Sequence, residues 1–398
     1  MKVLFLHPNF PGQFKHIAKK CAQGGYDTYF LCQTHYGRQL KGVNLITLKN
    51  KCGHDSLEKL KLSSIDRTLK LADQYRTGLI KLEQGGLKPD VVISHSGWGC
   101  GLHVKEIWPE VKLISYLEWW FDPLSSFYSY DKTNKKLSFG AGSIRKHWLR
   151  NQSVGLELAT ADGIISPTMW QKRQLPEIYA NKCHEIFDGI DLSIYHAGKE
   201  LPRKNIITYG TRGMDPMRCF PQFIEALPEL LRKNPDFQVE IAGEDKAFYG
   251  SMPGKKLSWG QWAKNYLEKN QVSQQVTWLG RLPQGIYEQW LQTSSCHIYL
   301  THPFVASWSL VEAYCCGTPL VVSDVEPTKE ICSPDAAVYK VDHRCKDSIQ
   351  NGILQIMKLT GGISRKTIEK ERKPERFGVP EALELWGHVT GLELSTTI

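Results

Sequence analysis

Residues 304–330 read FVASWSLVEAYCCGTPLVVSDVEPTKE. The spacing predicts a short amphipathic helix, a turn at Gly317-Thr318-Pro319, an apolar strand through Leu320, Val321 and Val322, and a polar exit at Ser323-Asp324. Ser309 followed three residues later by Glu312 forms a capping-box pattern, which puts the acid in the first turn. Trp308, Leu310 and Val311 are expected to pack the helix onto a sheet. A helix that begins in a loop after a strand offers unpaired backbone N–H groups and the positive end of its dipole, and both suit a phosphate. On the pattern alone, Glu312 either caps its own helix or faces a ligand.

The same run resembles the donor-site signature of the retaining GT-B glycosyltransferases of family 4, a helix reading LLEAMACGTPVV.SD. Glu312, Ala313, Gly317, Pro319, Ser323 and Asp324 match it. The resemblance implies that Glu312 holds the ribose of a sugar nucleotide. It also implies an earlier glutamate at the position of Phe304, so the residue expected to touch the donor sugar is apolar here.

At 398 residues the chain has room for two domains of roughly 100–200 residues each. A net charge of +9 favours anionic partners without choosing among phosphates, nucleic acid and an acidic membrane face. No apolar run reaches the roughly 18 residues of a membrane span. The opening MKVLFLHPNF reads as a first strand, not a cleaved leader. Eleven cysteines without a C-x-x-C pair fit reduced, mostly buried thiols in a cytosolic protein. No zinc-ligand spacing is present.

Lys2 to His7 reads as a buried parallel strand, followed by a turn with Gly12, a helix from Phe14 and a strand from Tyr26 to Cys32. That is a βαβ unit. Gly12 is a plain turn residue or a point where backbone passes close to a ligand; the resemblance implies a glycine loop facing the transferred sugar. Residues 50–88 read as a solvated amphipathic helix pair with Leu57, Leu60, Ile65, Leu69 and Leu71 on one side. Pro89 to His95 is a buried strand, and ligands in open α/β sheets gather at strand carboxyl ends. The resemblance implies that His95 lies near the transferred sugar. Glu118-Trp119-Trp120-Phe121-Asp122 follows the next strand and is either a sugar-stacking wall or an aromatic core plug. Arg145, Lys146 and Arg150 meet lipid headgroups or form a solvated face. Ala161 to Thr168 reads as the last strand of this half, turn residues at 186–191 mark a boundary, and the linker is expected at about residues 192–204.

Ile206 to Gly210 opens a second βαβ series. Arg212 and Arg218 bracket the turn after it, where two arginines can clamp a diphosphate. The resemblance implies that role for both. Gly243 ends the next strand. Val276 to Leu282 resembles V.FLGR, which implies that backbone at Leu279 and Gly280 holds the base. Residues 365–376 are charge-rich and read as solvated helix and loop. No nucleic-acid motif is present.

The fold class expected is α/β: two Rossmann-like doubly wound domains facing across a cleft, in the GT-B manner. The boundaries are 1–195 on the acceptor side, 205–378 on the donor side, and a final helix in 379–398 packing back on the first domain. The expected activity moves a sugar from a nucleotide-diphosphate donor to a glycan or lipid-linked hydroxyl, with retention. His95, Arg212, Arg218 and Glu312 carry it, and Gly12, Gly210, Gly243, Leu279, Gly280, Ser307, Trp308, Ser309 and Leu310 line the nucleotide sugar. No metal or cofactor is implied, since there is no Asp-x-Asp pair. The protein is expected in the cytoplasm, with peripheral contact to an anionic membrane and no nucleic-acid partner. A GT-B protein that binds nucleotide without transfer is the alternative, motivated by Phe304.

Overall fold

The computed structural model describes residues 1–48, 63–132, 134–137, 140–198, 203–359 and 364–394. Leu57 and Leu60 of the expected helix pair lie outside them. The fold divides into two compact units, one of Met1–Ser125, Gly140–Gly189 and Phe377–Ile398, the other of Ser126–Phe139 and Ile190–Arg376. Residues 126–139, which the sequence reading leaves in the first half, cluster with the second unit.

The first unit holds β1 (Lys2–Leu6), β2 (Asp27–Cys32), β3 (Val43–Thr47), β4 (Val91–His95), β5 (Lys112–Tyr116), β6 (Gly163–Ser166) and β7 (Cys183–Glu185). They form one parallel sheet in the order β3-β2-β1-β4-β5-β6-β7. A parallel sheet is covered on both faces, so its central strands are apolar throughout; β4 is buried at every residue. One face carries Phe5, Phe14 and Phe30 and receives Leu383 and Trp386 of the C-terminal helix Val379–Thr390. The other carries Leu4 and Leu6 against Leu71, Tyr75 and Leu79 of a long helix. The helices bearing on the site are α1 (Lys15–Gln23), α2 (Ser64–Gln84), which holds those three residues, and α3 (Ala141–Thr160). Leu69 of α2 is exposed, unlike Leu71. The edge strands β3 and β7 escape the sequence reading because β3 is half-exposed and β7 has three residues, two of them exposed. Trp119 and Trp120 are buried; Trp120 joins the core under β6, while Trp119 lies against Trp170 with ring centres 6.0 Å apart.

The second unit holds β8 (Ile206–Gly213), β9 (Gln238–Glu244), β10 (Val276–Gly280), β11 (Cys296–Tyr299), β12 (Leu320–Ser323) and β13 (Val338–Val341). They form a parallel sheet in the order β10-β9-β8-β11-β12-β13. Its helices include α4 (Phe220–Lys233), α5 (Trp259–Lys269), α6 (Gln284–Thr293), α7 (Trp308–Cys315), α8 (Lys346–Leu359) and α9 (Arg365–Arg372). Tyr209, Phe223, Ile241, Ile298 and Ile353 are among the core residues that join sheet to helices. The ten described cysteines are unpaired, and all but Cys345 are buried.

Two local expectations are corrected. The helix of the opening stretch is capped by Ser307, without a side-chain capping bond, and has no acid in its first turn. Ser309 and Glu312 are therefore not a capping box: the Ser307 N–H donates to the Tyr299 hydroxyl at 3.1 Å, and this tertiary bond sets the start. Trp308, at the first helical position, is exposed, while Leu310 and Val311 are buried as expected. The charged segment is also not wholly solvated. Arg365 and Arg372 are 5% and 2% exposed. Arg372 donates to the carbonyls of Tyr314 (3.0 Å) and Thr318 (2.9 Å) and pairs with Asp335. Arg365 donates to those of Gly317 and Ser294. They satisfy carbonyls left over where α6 and α7 end, and charge pattern alone does not reveal such acceptors.

Candidate functional site

Strand order in the second sheet reverses between β8 and β11, and the crevice at such a switch point is where doubly wound sheets bind ligands. Both strands deliver cation and donor groups there. After β8, Asp215 accepts the N–H groups of Met217 (3.1 Å) and Arg218 (3.2 Å) and so caps the 3-10 turn Pro216–Arg218. This turns Arg218 toward the end of β11. Its Nη1 donates to the Tyr299 hydroxyl and to Thr301 Oγ1, both at 2.8 Å, and its Nη2 to the Val305 carbonyl at 3.0 Å. All three acceptors are neutral. Among the described residues no carboxylate forms an ion pair with Arg218. Asp215 acts on it only through its charge, so this half-buried guanidinium keeps the capacity to pair directly with an arriving anion.

The start of α7 lies at the same place, because the Tyr299 hydroxyl takes both Arg218 Nη1 and Ser307 N–H. The Ser307 and Ser309 hydroxyls are 2.6 Å apart. A guanidinium, a helix N-terminus and two serine hydroxyls thus converge. Arg212, by contrast, is exposed on β8, with its guanidinium 4.1 Å from the Phe248 ring centre. Among the described residues the two arginines share no partner.

Glu312 sits further along α7. Its Oε2 accepts from the Tyr287 hydroxyl at 3.0 Å, and the Tyr195 hydroxyl also bonds to it. Burial, and then the charge of Glu312, push the Tyr287 phenol well above its ordinary range, so it stays protonated as a donor. Gly210 lies in β8 and Gly243 in β9; a Cβ on Gly243 would come within 2.2 Å of the Thr211 carbonyl oxygen, so only glycine lets these strand ends approach. Leu279 and Gly280 end β10. Phe304, before α7, has its ring centre 5.3 Å from that of Phe127 and 5.5 Å from that of Tyr249.

The first sheet repeats the logic. Its order reverses between β1 and β4, and each ends in a histidine: His7 just after β1, His95 closing β4. The rings stand perpendicular with centres 4.9 Å apart. The His7 Nδ1 accepts the Asn9 N–H at 2.9 Å, so Nε2 carries the proton and donates to Gln13 Oε1 at 2.9 Å. Burial pushes His7 down to about 4 and His95 well below its ordinary range, with His7 adding to the effect. Both are neutral at pH 7. Glu118 Oε2 is 3.8 Å from His95 Nε2. Gly12 has φ +53, and a Cβ there would lie 2.6 Å from His7 Nε2. Its glycine is thus required by the His7 ring.

The structure brings Arg218, Ser307 and Ser309 together, places Glu312 on the same helix, and leaves Arg212 on the exposed rim. The Leu310 side chain is buried. Sequence reasoning missed His7, Tyr299, Tyr287 and Tyr195. The strand-end rule that singled out His95 applies equally to His7 and Tyr299. Among the described residues no His, Cys, Asp and Glu cluster could hold a metal ion, and no helix is long and apolar enough to cross a membrane.

Residues 24–195 match the family model described as Glycosyl transferase family 4 group, and residues 197–374 that described as Glycosyl transferases group 1. Among curated proteins no relative matches by sequence. Among solved structures, sucrose-phosphate synthase from Thermosynechococcus elongatus is similar at TM-score 0.71 and 13% identity, over 98% of this chain and 97% of that one. HepE of Anabaena, in complex with UDP and glucose, is similar at TM-score 0.67 and 14% identity, over 98% and 100%. A glycosyltransferase from Rickettsia africae gives TM-score 0.65 and 13% identity, over 98% of both chains. At such identities the likeness is one of fold.

Proposed function

The chain belongs to the GT-B glycosyltransferases, and we propose that it moves a sugar from a nucleotide-diphosphate donor to a hydroxyl of a glycan or lipid-linked acceptor, with retention at the anomeric carbon. The observation that carries this reading is Arg218, held by neutral oxygens beside the N-terminus of α7 at the sheet's switch point. A diphosphate supplies a direct ionic partner. As the sugar departs, negative charge builds on that diphosphate, and fixed positive groups in a dry site stabilise it strongly. Arg218 and the backbone amides at the tip of α7 do this, with Arg212 adding charge from the rim. Glu312, its carboxylate oriented by Tyr287 and Tyr195, accepts ribose hydroxyl protons. Backbone at Leu279 and Gly280 holds the base. His95 and Gly12 belong to the recognition of sugar hydroxyls, with His95 neutral. The first unit serves the acceptor and the second the donor.

UDP is the first nucleotide to try, since the Anabaena neighbour is known with UDP and UDP-glucose. The exposed Arg145, Lys146 and Arg150 of α3 suit an anionic membrane face. The test is incubation with UDP-, GDP-, ADP- and TDP-sugars and an acceptor extract, followed by mass spectrometry of products. Transfer from one nucleotide class, unchanged by EDTA, is expected. Phe304, packed against Phe127 and Tyr249, favours a second reading in which nucleotide binds and no sugar moves. Binding without product from the whole panel would establish that reading instead.

A further inference from the structure

We infer that the Tyr299 hydroxyl is a direct hydrogen-bond donor to a phosphate oxygen of the bound nucleotide. The inference rests on the nucleotide-diphosphate reading above and adds to it a residue from the core of the sheet.

A phenolic hydroxyl has one hydrogen to give and two lone pairs to accept with. At Tyr299 both lone pairs are engaged, by Arg218 Nη1 at 2.8 Å and by the Ser307 N–H at 3.1 Å. Neither partner can accept, because a guanidinium and an amide N–H have only hydrogens to offer. The hydroxyl hydrogen is therefore directed away from both, and no acceptor for it exists among the described residues. The side chain is 3% exposed, so bulk water is a poor substitute. Thr301, the other hydroxyl on Arg218, differs: it accepts from Arg218 and gives its own hydrogen to the His302 carbonyl at 2.9 Å. Its capacity is spent inside the protein.

Every group around the Tyr299 oxygen is thus a donor: Arg218, the first amide of the α7 approach, and the phenol itself. A buried point where donors converge and acceptors are missing is complementary to an anion with several acceptor oxygens, which describes a phosphate. Asp215, the acid nearest Arg218 in sequence, does not fill the role. Its Oδ1 serves Met217 and Arg218 N–H groups and its Oδ2 the Phe248 N–H at 3.3 Å.

The experiment compares UDP and uridine binding by calorimetry for wild type, Tyr299→Phe and Thr301→Val. Phenylalanine keeps the ring and removes the donor. Valine removes one acceptor of Arg218 and leaves the phenol. The expected result for Tyr299→Phe is UDP binding weakened about tenfold (~1.4 kcal/mol), with uridine binding unchanged. Thr301→Val is expected to weaken UDP by less than about threefold (~0.6 kcal/mol). Equal losses in the two variants would show that Tyr299 only props Arg218, and the donor assignment would fall while the nucleotide reading stood. A parallel loss of uridine binding would mark general damage and also overturn it. Wild-type protein that binds none of UDP, GDP and ADP would remove the nucleotide reading itself, a distinct outcome.

Discussion

Glu157 offers a quantitative test of how the first unit is held. Its carboxyl lies on α3 with no exposed surface, and it accepts the Gly101 N–H and the Ser115 hydroxyl, both at 3.2 Å. It thereby ties the loop after β4, which follows His95, to β5. Among the described residues no cation pairs with it, and burial raises it from an ordinary value of 4.5 to about 7. Between those values the folded protein keeps the proton and the unfolded chain has lost it. Stability from this group is therefore complete below pH ~4.5 and declines as the pH rises through ~7. At ~1.4 kcal/mol per pH unit, the decline is about 3 kcal/mol. Glu157→Gln keeps the shape and an acceptor for Gly101 while removing the titration. Urea unfolding at pH 5, 6, 7 and 8 should show wild type losing stability relative to the variant by about 2.5 kcal/mol across the series, the remainder being lost already below pH 5. With a slope of ~2 kcal/mol per molar urea, this is about 1.2 M in the difference between their midpoints. Parallel pH profiles for the two proteins would refute the claim that Glu157 is buried and protonated.

Other perturbations follow from the same geometry. Gly12→Ala forces a Cβ into the His7 ring at a positive φ and should destabilise the first unit by about 1–3 kcal/mol, read as a lower melting temperature. Arg372→Met strands the Asp335 carboxylate and the carbonyls at the end of α7; a loss of about 3–5 kcal/mol is expected in chemical denaturation. Glu312→Ala should weaken nucleotide binding about tenfold or more if the carboxylate accepts ribose hydroxyls as proposed. Tyr287→Phe should weaken it less, because it loosens the carboxylate without deleting it. An unchanged affinity in Glu312→Ala would take Glu312 out of the site.

Much of the architecture was legible because parallel strands buried on both faces leave continuous apolar runs: β1, β4 and β12 were read directly. The edge strands β3 and β7 were not, since half-exposed or three-residue strands leave no such run. The Arg218 turn and the α7 stretch were legible from residue type and spacing together with resemblance. The start of α7 was misread because Ser307 is fixed by Tyr299, a residue on another strand, whereas Ser309 and Glu312 form the better local pattern. Arg365 and Arg372 looked solvated because their acceptors are main-chain carbonyls, which no sequence pattern marks. His7 and Tyr299 were within reach: each stands at a strand end at the switch point of its sheet. They were passed over because they complete apolar strands.

The central claim is that Arg218 awaits a diphosphate. Calorimetric titration of wild type and Arg218→Met with UDP, GDP and ADP measures it most directly, with near-native melting of the variant as the control. The account predicts that one nucleotide binds wild type and that the methionine variant binds it at least about 100-fold more weakly (~2.7 kcal/mol). A well-folded variant with undiminished affinity for that nucleotide would contradict it.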